Sequence, residues 1–239
     1  MYGRIDEFMT NPVSAFICEP IVGCGGQVML SEAYLKTIYK KVRDKNGLCI
    51  ADEVQTGFGR VGSNFWAYEL YDVVPDIVVL GKPMGNGHPI GAVVTNGEIA
   101  RAFENGMEFF SSFGGNPVSC EIGKAVLEVI EEESLQDNAL EVGHQLMEGF
   151  KSMQGDHEWI HDVRGAGLFL GIELVKQSDA GSPAAKEAKG IINSMKDKGI
   201  LLSADGPHNN VIKIKPPLCF SRDNADQLLD EFEKTIRSI

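Results

Sequence analysis

Apolar and polar positions alternate between two rhythms along the chain. Three short, continuously apolar runs come early: "SAFICEPI" (14–21), "GLCIADEV" (47–54) and "PDIVVLG" (75–81). Runs of this length and Val/Ile content predict buried strands rather than helices. Between the first two lies "SEAYLKTIYKKVRDKNG", in which Ala33, Leu35, Ile38, Tyr39 and Val42 recur near helical spacing. Ser31 can cap that helix and Gly47 can stop it. "PIGAVVTNGEIARAFENG" predicts one more strand and a short helix. Continuously apolar strands joined by helices imply an α/β fold, with a largely parallel sheet covered on both faces.

The second half changes rhythm. Residues 117–153 read as helix for most of their length, with the Glu131–Glu133 run as a solvated helix end. "VRGAGLFLGIELV", "ILLSADG" and "NVIKIKPPLCF" predict strands, with helices near 184–198 and 222–238. A boundary near residue 130 is expected, dividing the chain into 1–130, part of a large sheet domain, and 131–239, a smaller α+β domain.

The 239 residues carry a formal charge of -12, with 43% hydrophobic and 23% charged residues. That acidity argues against nucleic acid or an anionic membrane surface as the main partner, since either favours a basic face. The five cysteines, Cys18, Cys24, Cys49, Cys120 and Cys219, have neither CxxC spacing nor even number. No disulfide framework or metal site is indicated, and a reducing cytoplasm is the expected setting. No apolar run approaches the roughly 20 residues needed to span a bilayer, and "MYGRIDEFMTNP" lacks the features of a signal peptide.

Two residues carry the candidate chemistry. Lys82 follows an apolar strand directly, inside "VLGKPMGNGHP". Burial or nearby positive charge makes a lysine nucleophilic, and glycines at 81, 85 and 87 let backbone approach a flat ligand. The loop does not match GxxxxGK[ST], which disfavours a phosphate-binding P-loop. Asp52 ends the preceding strand in "CIADEVQTGFGR". Adjacent residues on a strand point to opposite faces, so Asp52 and Glu53 are poorly placed to chelate one metal. At the carboxyl end of a parallel sheet, Asp52 can instead pair with a cationic ring nitrogen. Gln55, directly after Val54, can offer an amide to the same ligand. If the two strands are neighbours, Asp52 and Lys82 leave the sheet at one edge. Ser111, Ser112, Gly114 and Gly115 in "SSFGGNPVSC" can bind an anion or simply cap the next helix.

Taken in order, "IADEVQTGFGRVG", "PDIVVLGKPMGNGHPIGAVV", "SSFGGNPVSC", "VRGAGLFLGIEL" and "KIKPPLCF" resemble the class-III aminotransferases of fold type I, which depend on pyridoxal 5'-phosphate (PLP). The resemblance implies a PLP-dependent transferase-like fold, with part of the large domain followed by the small C-terminal domain. It implies that Lys82 holds the cofactor covalently and, once released by a substrate amine, acts as the base. Asp52 would pair with the pyridinium nitrogen. Val54 and Gln55 would line the cofactor, Gln55 reaching its ring hydroxyl. Ser112 stands where the family usually has a threonine that contacts the cofactor phosphate of the partner subunit, which implies a homodimer with a shared site.

The chain departs from the common pattern at two positions. Relatives acting on α-carboxylates usually have an arginine where Lys213 stands, and lysine does not reproduce its bidentate grip. Some relatives shield that arginine with a glutamate at the position of Cys24. "LLSADGPHNNVIKIKPPLCF" and "GKPMGNGHP" resemble instead the phospho-lyases of the family, which act on phosphoethanolamine or phosphohydroxylysine. Lys213, Lys215, His208 or Arg60 could then supply a cation to a substrate phosphate. An ω-amino or alanine-glyoxylate type of aminotransferase is the alternative, as is an inactive fragment. The motifs match roughly the C-terminal half of such an enzyme, so a sheet edge or apolar face is expected to lie uncovered.

Overall fold

The computed structural model describes residues 10–176 and 181–238. In chain order the elements are β1 (Ala15–Cys18), β2 (Ile21–Val22), β3 (Val28–Met29), α1 (Glu32–Arg43), β4 (Leu48–Asp52), β5 (Ile77–Leu80), β6 (Ala92–Thr95), α2 (Gly97–Phe103), α3 (Pro117–Glu132), α4 (Leu135–Asp156), β7 (Ile160–Ala166), β8 (Phe169–Lys176), β9 (Ser182–Pro183), α5 (Ala185–Asp197), β10 (Ser203–Asp205), β11 (Val211–Ile214) and α6 (Arg222–Ile236). They form two compact units. No helix among the described residues is long and apolar enough to cross a membrane.

The first unit takes the chain up to Pro20, then 30–58 and 66–133. Its sheet has the order β1-β4-β5-β6. β1, β4 and β5 run parallel, whereas β6 is antiparallel to β5. The reversal has a simple cause. A parallel return is usually made through a crossover helix, and the link from Leu80 to Ala92 holds only the short turn Lys82–Gly85.

Helix α1 begins as its sequence predicts, with Ser31 Oγ accepting the Tyr34 N–H at 3.2 Å. It ends at Arg43, and Gly47 follows where a Cβ would lie 2.5 Å from the Val13 carbonyl oxygen. Its buried stripe of Leu35, Ile38, Tyr39 and Val42 covers one face of the sheet. Phe16 meets the Tyr39 ring edge-on at 6.3 Å, and Cys49 Sγ lies 3.7 Å from the Tyr39 carbonyl oxygen. Strand alternation therefore sends Ile17, Ile50 and Asp52 to the opposite face. Val79 pairs with Asp52 and Val93 with Val79, which puts Val93 on that face too. Ile17 and Val93 are 58% and 67% exposed, so an apolar face is open, as expected from the sequence.

The second unit contains 21–29, 59–65 and the described residues from Ser134 onward. The split falls at 133/134, and two segments from well before residue 130 join this unit. Its antiparallel sheet has the order β10-β11-β8-β7, with β9 on β8. "VRGAGLFLGIELV" reads as one strand in the sequence but folds as the β7–β8 hairpin. It breaks at Gly167, whose φ of +53° favours glycine. "ILLSADG" yields strand only over Ser203–Asp205. On one face of the sheet, Val163, Leu170, Ile172, Leu174, Ile212 and Ile214 join buried residues of α4, α5 and α6 in one core. Over the other face lies the β2–β3 hairpin, close enough that a Cβ on Gly171 would be 2.9 Å from Gln27.

Candidate active site

β4 and β5 are parallel neighbours, with Asp52 opposite Val79. The Glu53 N–H donates to the Val79 carbonyl at 3.0 Å, extending the pairing one residue beyond β4. Asp52 and Lys82 therefore leave the sheet at the same carboxyl edge. This is the juxtaposition that the sequence makes conditional on the two strands being neighbours.

The Asp52 carboxylate is half-buried and oriented by its own loop, with Oδ1 accepting the Val54 N–H at 3.0 Å. Such an Asx-type bond fixes the rotamer while using one of the two oxygens. Gln55 Nε2 donates to Glu19 Oε2 at 3.3 Å. Glu53, on the other side of the strand, is fully buried. It accepts the Thr56 hydroxyl at 2.7 Å and the Tyr68 N–H at 2.8 Å. Burial pushes its carboxyl above the ordinary range, and these hydrogen bonds oppose the rise. Glu53 thus ties the loop bearing Asp52, Val54 and Gln55 to the turn at Ala67–Tyr71. In the sequence Glu53 stands out only as half of an unsuitable metal pair; an acidic residue continuing a buried strand face is the signal that marks it.

Lys82 opens a short 3-10 turn, Lys82–Gly85, with Pro83 pre-setting its first bend. Its φ of +29° is unusual for a residue with a Cβ, a type of backbone strain found at functional sites. The side chain is exposed. Behind it, buried Gly81 lies against Val54, where a Cβ would come within 3.3 Å of Val54 Cγ1. The turn rests on α3: a Cβ on Gly123 would sit 3.7 Å from the Met84 carbonyl oxygen, and His88 Nε2 lies 2.8 Å from Ser119 Oγ. Ser112 is exposed in the segment before α3, where the neighbouring Ser111 Oγ accepts the Gly114 N–H at 3.0 Å.

The substrate candidates lie in the second unit. Lys213 Nζ forms an ion pair with Asp205 Oδ1 at 3.0 Å. Cys24 is exposed, and its carbonyl oxygen accepts the Gly206 N–H at 3.0 Å. His208 is exposed. Arg60 donates to the carbonyls of Leu168 and Pro216 at 3.1 and 2.8 Å, so its guanidinium braces the backbone.

These residues fit a pyridine cofactor bearing an aldehyde. An exposed primary amine and a carboxylate with one oxygen held by the backbone meet at one sheet edge, with an amide one residue beyond Val54. Lys82 would hold such a group through its carbonyl carbon, and Asp52 would hold its ring nitrogen.

The fold is that of the fold type I, PLP-dependent proteins, and the aminotransferase class-III family matches residues 3–236. The chain belongs to that family. A Drosophila melanogaster protein named alanine–glyoxylate aminotransferase 2-like is 52% identical over 95% of this chain and 46% of its own length. A Caenorhabditis elegans protein named ethanolamine-phosphate phospho-lyase homolog 1 is 47% identical over 94% of this chain and 49% of its own. Among solved structures, a phospholyase from Arthrobacter in complex with phosphoethanolamine superposes with a TM-score of 0.94. It is 40% identical, over 98% of this chain and 55% of the other. The chain thus spans about half the length of these relatives.

Proposed function

We propose that this chain forms the lysine-bearing part of a PLP-dependent phospho-lyase acting on phosphoethanolamine or a related phosphorylated amine. The observation that carries this reading is the meeting of Asp52 and Lys82 at one edge of the parallel strands. Bound PLP supplies an electron sink next to the amine-bearing carbon of the substrate. Asp52 keeps the ring nitrogen protonated through a charge-assisted hydrogen bond. Lys82 would hold the cofactor at rest and, once freed, would take the proton from the amine-bearing carbon. Val54 and Gln55 border the ring, and Ser112 serves the phosphate of a cofactor in a second copy.

Lys213, on the Cys24 side of the second unit, contributes cationic charge for the substrate phosphate. Loss of that phosphate from the adjacent carbon, with uptake of one water, yields an aldehyde, ammonia and phosphate. Were Lys82 to return the proton without loss of phosphate, the chemistry would be transamination instead.

The deciding measurement is phosphate release from phosphoethanolamine by the PLP-loaded protein without any keto acid. Stoichiometric aldehyde and phosphate are expected. Turnover that demands a keto acid replaces this reading with that of an ω-amino or alanine–glyoxylate aminotransferase, which the Drosophila relative's name favours. A folded chain that takes up no PLP would be an inactive module.

A second copy of the chain is the proposed macromolecular partner. Met107, Phe109, Phe110 and Phe113 are 75–86% exposed in one short stretch, a cluster of large apolar side chains suited to burial against a partner. Sedimentation at micromolar concentration should give a dimer, and a monomer at all concentrations would overturn it. The cytoplasm is the proposed compartment, in keeping with five free cysteines.

A further inference from the structure

The backbone of Lys82, at a φ of +29°, adopts a conformation that persists only where its surroundings impose it. The chain after it folds into a compact set of turns. The Met84 N–H donates to the Gly81 carbonyl at 2.9 Å, the Asn86 N–H to Pro83 at 3.1 Å and the His88 N–H to Gly85 at 2.9 Å. Asn86 and Gly87, with φ values of +44° and +103°, turn the chain back against Gly85. A Cβ on Gly85 would lie 3.4 Å from His88 Cβ and 2.7 Å from Ile90 Cγ2.

Two contacts fasten these turns to α3. One is the approach of the Met84 carbonyl to Gly123. The other is polar: half-buried His88 brings Nε2 to 2.8 Å from Ser119 Oγ. Ser119 and Gly123 lie one helical turn apart on the same face of α3. Asn116 Oδ1 accepts the N–H groups of Val118 and Ser119 at 3.0 and 3.3 Å, so the helical turn that carries Ser119 is itself fixed.

We infer that His88 is a positioning residue for Lys82: its bond to Ser119 anchors the strained turn on α3 and so sets where the Lys82 amine is presented. The packing at Gly123 limits how closely the turn approaches the helix but has no preferred direction. A hydrogen bond fixes both distance and angle. Without it the turn can relax toward a φ that suits lysine better, and the amine moves with the backbone. The bearing of this anchor on chemistry rests on the proposed role of Lys82; the anchoring itself does not.

Hydrogen exchange in the whole, cofactor-free protein tests the anchoring. In His88→Ala and in Ser119→Ala the amides of Met84 and Asn86 should exchange roughly fivefold faster, the scale of one hydrogen bond. Val78 and Val79 in β5 should keep their wild-type rates, and the double variant should exchange no faster than either single one. Unchanged exchange at Met84 and Asn86, equal acceleration in β5, or additive effects in the double variant overturns the inference. Borohydride trapping of PLP on Lys82, read by mass spectrometry, then reports the amine. Its rate should fall on the order of tenfold in His88→Ala and recover in His88→Gln, whose Nε2 has a similar reach. An unchanged rate in His88→Ala, or no recovery in His88→Gln, overturns the positioning role. A wild type that traps no PLP sinks the proposed function and leaves the anchoring to be decided by exchange alone.

Discussion

Lys82→Ala is expected to remove the visible, borohydride-sensitive absorbance of the PLP-loaded protein and to lower amine turnover by roughly 100- to 10,000-fold or more. The size of the effect follows from the double task given to one amine. In the proposed function it would anchor the cofactor by a covalent bond and then move the substrate proton, and the methyl group of alanine could do neither. The Lys82 side chain is exposed, so its removal costs little packing. Alanine at a φ of +29° inherits the strain that lysine already bears. A folded variant is therefore expected, and circular dichroism should match the wild type. If absorbance and turnover both survive, Lys82 is not the anchor and the proposed function falls with it.

Gly143→Ala should cause the largest loss of stability. A Cβ at this position in α4 would lie 2.4 Å from the carbonyl carbon and oxygen of Gly167, in the turn between β7 and β8. Both contacts are backbone, so no side chain can rotate away. The turn has little room to retreat: a Cβ on Gly167 would lie 2.5 Å from the Arg60 carbonyl oxygen. Arg60 in turn braces Leu168 and Pro216. Helix α4 and the hairpin must separate, opening the core around Leu146, Leu168 and Leu170. A loss of about 3 kcal/mol or more is expected, read as a lower urea midpoint with an unchanged slope. A loss below about 0.5 kcal/mol, the scale of an ordinary surface change, would show that the close packing of α4 on the hairpin is wrong.

The sequence makes the essential edge legible because strand period and chain order suffice to define it. Asp52 closes one apolar run, Lys82 follows the next, and adjacent parallel strands do the rest. The first helix is equally plain, since its apolar spacing and serine cap agree. Three other features depend on information that no local pattern carries. β6 runs antiparallel to β5, which only strand pairing reveals. The β7–β8 break sits between apolar residues on both sides, so only the backbone freedom of Gly165 and Gly167 betrays it. Asp205 comes eight residues before Lys213 and looks like a loop acid. The antiparallel pairing of β10 with β11, and a glutamine 178 residues earlier in the chain, turn it into a buried counter-ion.

The interleaving of the two units carries a consequence for synthesis. The junctions at 20/21, 29/30, 58/59, 65/66 and 133/134 mean that the second unit borrows two early segments. The Gly26 carbonyl waits for Arg164 Nε, which it meets at 2.9 Å, and Arg60 waits for Pro216. At typical ribosomal rates those partners emerge on the order of ten seconds later. Until then the β2–β3 hairpin, whose strands pair only with each other, and the loop around Arg60 lack these partners, so the second unit cannot complete its packing before Pro216 has been made.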